Sequence, residues 1–254
     1  MQAMNLPRWM IRAYLFLPYG FRKFTGMGSF GPNTAQYIHH PVQTGSNYLK
    51  EALFKHHVKQ FHDSSCSVAS VVSVVNAIRE HQSCQVGPID QEDILEKVKT
   101  GNWKKRMSEF GHNGRRGLPL PLLGEVVRSS LDAYNIKYSV VETVLAKKNA
   151  RQSEGIKKVL QKRLIEFEKR GDCLLIAHFD QGVYVKTLNI PHISPVGGFD
   201  IKTGRVTILD VDPFQQKPYD ITFEVFYKGL SSNYHHVFQP FGYGSGGYIF
   251  IKLP

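Results

Sequence analysis

The sequence predicts an α+β fold in which helices come first and an antiparallel sheet follows. Three observations carry that prediction. Helical periodicity is concentrated before residue 171, β-branched and aromatic runs separated by turn residues fill most of the chain after it, and no segment repeats. With 254 residues, 42% hydrophobic and 21% charged, the chain has the apolar content to bury a sizeable core.

Residues 30 to 48 are rich in Gly, Pro, Asn, Gln and Thr and read as an opening loop. A short helix follows over Asn47 to His57. After the turn "CQVGPID", Asp90 is placed to cap a helix starting at Gln91, with Glu92 and Asp93 suited to its positive end. "EFGHNGRRGLPLPLLGEVVRSSLDAY" begins with turn chemistry and becomes helical from Leu122 to Tyr134. "IKYSVVETV" reads as a strand. In "SEGIKKVLQKRLIEFEKRG", Ile156, Val159, Leu160, Leu164 and Phe167 recur at helical spacing, and Gly171 ends the helix. Six strands are then expected: "CLLIAHF", "VYVKTLNI", "HISPVGGF", "RVTILDV", "ITFEVFYKGL" and "GGYIFIKL".

Between the first two helices lies "QFHDSSCSVASVVSVVNAI", residues 60 to 78. Its valines would suit a strand. However, Val68, Val71, Val72, Val75 and Ile78 share one helical face, and Ser64 or Asp63 is available as N-cap. Cys66 then sits in the first turn, where free N–H groups and the helix dipole stabilise a thiolate. The same groups can donate to a developing oxyanion. Buried inert cysteines are common, so Cys66 requires a partner before it means anything.

The charge, cysteine count and N-terminus narrow the function classes. The net charge is +11, but the basic residues are dispersed in pairs and triplets. A generally basic, solvated surface explains them, and nucleic acid is not an expected partner. Cys66, Cys84 and Cys173 cannot make a disulfide framework, and the histidine pairs have no cysteines at metal-ligand spacing. A reducing, cytoplasmic compartment is expected, with no tightly bound cofactor or metal. Residues 1–29 form a basic, aromatic segment whose uncharged run is too short to span a bilayer. Residues 8–24 suit either packing on the domain or contact with a membrane surface, and export through this segment is the alternative localisation. Oligomeric state is open, and a dimer is compatible with the sequence.

A thiolate nucleophile needs a histidine, and the histidine needs an orienting carboxylate or amide. "HISPVGGFDIKTGRVTILDVDPF" offers both, with His192 opening one strand and Asp210 eighteen residues later on the return strand. A turn around Lys202 to Gly204 would bring the ends together. The two share a face only if the numbers of paired residues sum to an even value.

The order Cys, then His and Asp on a later hairpin, resembles papain-like cysteine peptidases. The wording resembles the phytochelatin synthase family more specifically. Gln60 lies six residues before Cys66, and "CSVAS" starts the helix. "HISPVGGF" begins at His192, and "ILDV" follows with the family's His-to-Asp spacing. The resemblance covers roughly residues 30 to 225 and implies a papain-like fold, with residues 30–254 as one catalytic domain. It implies Cys66 as the acylated nucleophile, His192 as base then acid, and Asp210 as the group that holds the imidazole. It also implies Gln60, with the Cys66 N–H, as the oxyanion hole. The implied reaction cleaves the Cys–Gly amide of glutathione, a small thiol peptide, and passes the acyl group to a second glutathione. Heavy metal (cadmium or zinc) enters as the metal thiolate of the substrate.

Three departures stand out. Ser67 and Val68 replace the family's Gly-Leu, "TLNIPH" replaces a glycine-rich approach to the histidine, and Asp212-Pro213 replaces Ala-Arg. The missing Arg would have been a natural carboxylate fork. Hydrolysis is therefore expected at least as much as transfer. A peptidase or amidase acting on another peptide is an alternative, as is a basic nucleic-acid- or membrane-binding protein with a vestigial triad.

Overall fold

The computed structural model describes residues 34–38, 47–83, 87–108, 110–187, 190–232 and 244–254, together with positions 10, 17, 21 and 24. Seven helices lie among these residues: α1 (Tyr48–Lys55), α2 (Cys66–His81), α3 (Gln91–Lys97), α4 (Trp103–Met107), α5 (Leu120–Ala133), α6 (Ala150–Arg170) and α7 (Phe223–Leu230). The strands are β1 (Gln36–Tyr37), β2 (Val140–Leu145), β3 (Cys173–Asp180), β4 (Pro191–Asp200), β5 (Arg205–Ile208), β6 (Tyr219–Thr222) and β7 (Gly247–Lys252). They form one antiparallel sheet in the order β1-β6-β5-β4-β3-β7-β2.

The expected helix over residues 60 to 78 forms, but it is not amphipathic. Every residue of α2 from Cys66 to Arg79 is buried. A helix apolar on all sides belongs in an interior, and α2 packs against α1, α3, α5 and β4. Its buried polar side chains are satisfied locally. The Asn76 amide, for example, exchanges two 2.8 Å bonds with the backbone of Ile89. Its N-cap is Ser65, not Ser64 or Asp63, and the Ser65 hydroxyl bonds the His62 backbone.

Other boundaries follow ordinary rules. Asp90 caps α3 with a complete capping box, as expected. Helix α5 starts two residues early, at Leu120, with Pro121 in its first turn, where proline sacrifices no hydrogen bond. Gly171 ends α6 in the left-handed conformation. Lys50 of α1 forms a largely buried ion pair with Glu168 of α6, tying the two helices together.

Two expected strands do not form. Across "VYVKTLNI" the chain makes a single 3-10 turn at Gln181–Val183, and no strand is assigned among the described residues up to Ile190. Tyr184 here turns inward, stacking on Phe179 at 4.5 Å and donating to the Phe226 carbonyl. "ITFEVFYKGL" splits instead, its first two residues ending β6 and the rest forming α7. Thr222 caps that helix, so a local capping signal overrides β propensity. The opening loop contains the short β1, with much of it outside the described residues. The N-terminal segment and the domain boundary near residue 29 also lie almost wholly outside them. No helix among the described residues is long and apolar enough to cross a membrane.

The β4–β5 hairpin contains an irregularity that matters for the site. Asp200, Phe199 and Gly198 pair with Arg205, Val206 and Thr207, but Val196 pairs with Ile208, which leaves Gly197 as an extra residue. This bulge changes the sum of paired residue numbers from odd to even. In the odd register His192 and Asp210 would face opposite sides of the sheet. Beyond the bulge, Leu209 N–H bonds Pro195 O at 3.0 Å and Asp210 comes to the His192 face.

Candidate active site

Three elements bring the expected residues together. Helix α2 begins at Cys66, β4 carries His192, and Asp210 lies just beyond β5 rather than within it. His192 Nε2 is 2.8 Å from Asp210 Oδ1, and Cys66 lies near enough to the same imidazole to favour its protonated form. Asp210 is fully buried, His192 is 4% exposed and Cys66 is 9% exposed, so the thiol is the member that solvent reaches. The Ser70 hydroxyl lies 2.7 Å from Cys66 O and 3.0 Å from Ile193 O, stitching the helix start to the histidine strand.

The Asp210 carboxylate is heavily supported. Besides His192, it accepts from the Tyr219 hydroxyl at 2.7 Å and the Asp212 N–H at 2.9 Å, with the Gln181 amide at 3.5 Å. Burial alone would raise its pKa. The His192 charge and these donors more than offset that and hold it well below the usual carboxylate range. Burial likewise opposes protonation of His192, but the Asp210 charge and hydrogen bond, then Cys66, raise its pKa well above the usual value. The edge of the imidazole is fixed against Phe179, with centroids 5.5 Å apart.

Below the pair, Lys59 donates to the carbonyls of Asp210 at 2.5 Å and Gln215 at 2.6 Å. The next residue, Gln60, bonds Val211 O through its N–H at 2.8 Å. Gln60 is therefore stapled to the segment carrying Asp210. Its Oε1, an acceptor, is buried without a hydrogen-bond partner among the described residues. His57, beside Asp210, is kept neutral by burial and then by the Lys59 charge, which lower its pKa to about 4.

The three sequence departures each have a structural partner. Ser67 is fully buried and accepts from Trp103 Nε1 at 3.0 Å. Pro191 opens β4, a strand position where proline is tolerated. Asp212 accepts from Gln181 Nε2 at 2.8 Å and from the Phe214 N–H at 2.9 Å, so its charge is tied into the turn. Pro213 is exposed, and Phe214 beside it is 86% exposed. Sequence reasoning missed Tyr219, Gln181, Lys59 and Ser70. Ser70 ends the quoted CSVAS stretch but was assigned no role, the other three belong to no motif, and Gln181 lies two residues before a run misread as a strand.

A helix-start thiol facing a sheet-borne imidazole–carboxylate pair, on an antiparallel α+β frame, defines the papain-like class. Within that class, the family model for phytochelatin synthase matches residues 33–243. The chain belongs to the phytochelatin synthase family. No curated protein matches it.

Proposed function

We propose that the protein cleaves the Cys–Gly amide of glutathione, or of a similar γ-glutamyl peptide, through a thioester on Cys66. The family is one of enzymes acting on glutathione, and the observation that carries the finer reading is the buried Asp210–His192 pair at the start of the helix that carries the Cys66 thiol. The Cys66 thiolate attacks the cysteinyl carbonyl carbon. The resulting oxyanion is held by the Cys66 N–H and the Gln60 amide. Collapse breaks the C–N bond, and His192 gives its proton to the departing glycine nitrogen. With Nε2 committed to Asp210, Nδ1 is the nitrogen that serves the thiol. Water or the amine of a second glutathione then attacks the thioester carbon, His192 takes up the proton, and the C–S bond breaks.

Hydrolysis dominates in this reading. At the position of the family's Arg, Pro213 offers no carboxylate fork, and exposed Phe214 beside it offers no charge. Heavy metal, where it participates, arrives as the metal thiolate of the substrate. Incubation with glutathione should add the mass of γ-glutamylcysteine less water to Cys66. Cys173 stays unmodified, because burial, then the Glu166 and Asp172 charges, push its thiol up to about 12. Glycine release should outpace polymer formation on chromatography. Absence of any Cys66 adduct in the wild type, and of glycine release, would sink the proposal. Abundant longer γ-glutamylcysteine polymers would overturn its hydrolytic part.

A further inference from the structure

The loop between α4 and α5 has been given no role so far. It is built tightly: His112 and Arg115 exchange two 3.0 Å backbone bonds, and Gly117 N–H bonds Arg106 O at 3.3 Å. Gly111, Asn113, Gly114 and Gly117 all take positive φ, which lets the chain fold back within a few residues. The result is a cavity of about 290 Å³ lined by Arg106, His112, Asn113 and Arg115.

This loop adjoins the nucleophile. Arg116 Nη2 donates to Ser64 Oγ at 3.0 Å, two residues before Cys66. Ser64 Oγ in turn lies 3.2 Å from Met107 O and 3.3 Å from His62 Nδ1. Ser67 Oγ touches Met107 Sδ at 3.8 Å. The start of α2 is thus bonded to both ends of the basic loop. The positive field reaches that far: burial first, and then the Arg116 charge, depress the imidazole of His62. Arg115 and Arg116 themselves are exposed.

A larger hollow of about 610 Å³, lined by Tyr48, Glu51, Lys55 and Glu80, is a poorer candidate. Glu80 lies fourteen residues along α2 from Cys66, about 21 Å at helical rise. Its carboxylate is already engaged by Lys55 and His56.

We infer that Arg115, which lines that cavity, and Arg116, which bonds Ser64, form an anion subsite that seats a carboxylate of the thiol-peptide substrate beside Cys66. The subsite rests on the reading of Cys66 as the acylated nucleophile. It places a counter-charge on the loop before α5, whereas the segment after β5 has Pro213 in place of the family's Arg. Guanidinium forks suit a carboxylate better than point charges do.

The test compares alkylation of Cys66 by iodoacetate and iodoacetamide, identical in reach but differing in one carboxylate. In the wild type the ratio of the two rates should be high and fall with added salt. Arg116→Gln, and more so Arg115→Gln/Arg116→Gln, should lower it by about three- to tenfold, with Arg116→Lys between. Because both reagents meet the same thiol, any change in thiolate fraction cancels in the ratio. A ratio that the double variant leaves unmoved overturns the subsite. Slow reaction of wild-type Cys66 with both reagents overturns the nucleophile reading, and the subsite with it.

Turnover extends the test. Arg116→Gln should raise KM for glutathione about tenfold with a smaller effect on kcat. If glutathione with its glycine carboxyl esterified shows no such rise, the glycine carboxylate occupies the subsite. If it rises equally and Arg116→Lys restores part of the loss, the γ-glutamyl carboxylate does. Unchanged KM for both rejects the proposal.

Discussion

At the scale of single residues, the chemistry turns on one proton. Asp210 raises the pKa of His192, and in the proposed reaction that proton passes to the departing glycine. Asp210→Asn removes the charge but keeps the volume, so burial of His192 then works unopposed and its pKa falls. The alkaline limb of kcat/KM against pH should move to lower pH, and kcat should drop about 10⁴-fold, as in other triads. Tyr219→Phe removes one donor to the carboxylate and leaves its charge in place. The loss should be within about tenfold, with the limb nearly unmoved. A pH profile for Asp210→Asn that keeps the wild-type alkaline limb would remove Asp210 from this role.

At the scale of elements, the hairpin bulge decides whether the pair can exist. A Cβ at Gly197 would come within 2.7 Å of Leu209 Cγ, beside Asp210. Gly197→Val should cost about 1–3 kcal/mol by overpacking. It should also lower kcat more than the stability loss explains, because relieving the clash displaces Asp210. Gly155→Ala, with nothing within 4 Å of the new methyl, should be neutral or stabilising by about 0.5–1 kcal/mol. Melting temperatures alongside steady-state rates would check both, and normal kcat in Gly197→Val would show that the register tolerates slippage. Much at this scale was legible beforehand. The cap at Asp90, the stop at Gly171 and the start of α2 near Cys66 follow from local chemistry. The His192–Asp210 hairpin was legible only conditionally, since sequence spacing does not reveal a bulge. The run after Gln181 misled because Val, Tyr and Thr favour strands, whereas tertiary stacking of Tyr184 on Phe179 decides its shape. The side-chain donors to Asp210, Tyr219 and Gln181, stayed hidden because no local periodicity ties them to it and the fold brings them together.

At the scale of the whole molecule, several buried histidines set the response to acid. His57 and His178 have folded pKa values lowered to about 4, in both cases chiefly by burial. The unfolded chain, with ordinary values near 6.5, then binds more protons between those limits, so stability falls as pH drops through that window. Asp210 has the opposite kind of partner: its lowered pKa supports the fold above about 3.8 and loses that support as pH falls further. His192, raised, contributes fully below about 6.5, and that contribution is lost as pH climbs through its folded value. The melting temperature should therefore decline from about pH 6.5 toward pH 4, before Asp210 is protonated. His57→Gln and His178→Gln should flatten that decline. A flat wild-type curve over this range would contradict it.

The place of β7 in the sheet has a consequence for how the protein is made. It lies between β3 and β2, pairing with both along its whole length, and it follows the other described strands in chain order. During synthesis β2 emerges about a hundred residues ahead of β7, its neighbour among the described strands, a long interval for an exposed strand. Meanwhile β3 has one edge open until β7 emerges. The polar ties that close the arrangement, from Lys252 to Glu166 and Asp172 and from Leu253 N–H to Asp172 O, come later still. A nascent chain halted before Gly247 holds every residue of the candidate site, yet β2 cannot join the rest of the sheet. Until then it presents two unpaired strand edges to its neighbours, the hazard that chaperones exist to contain.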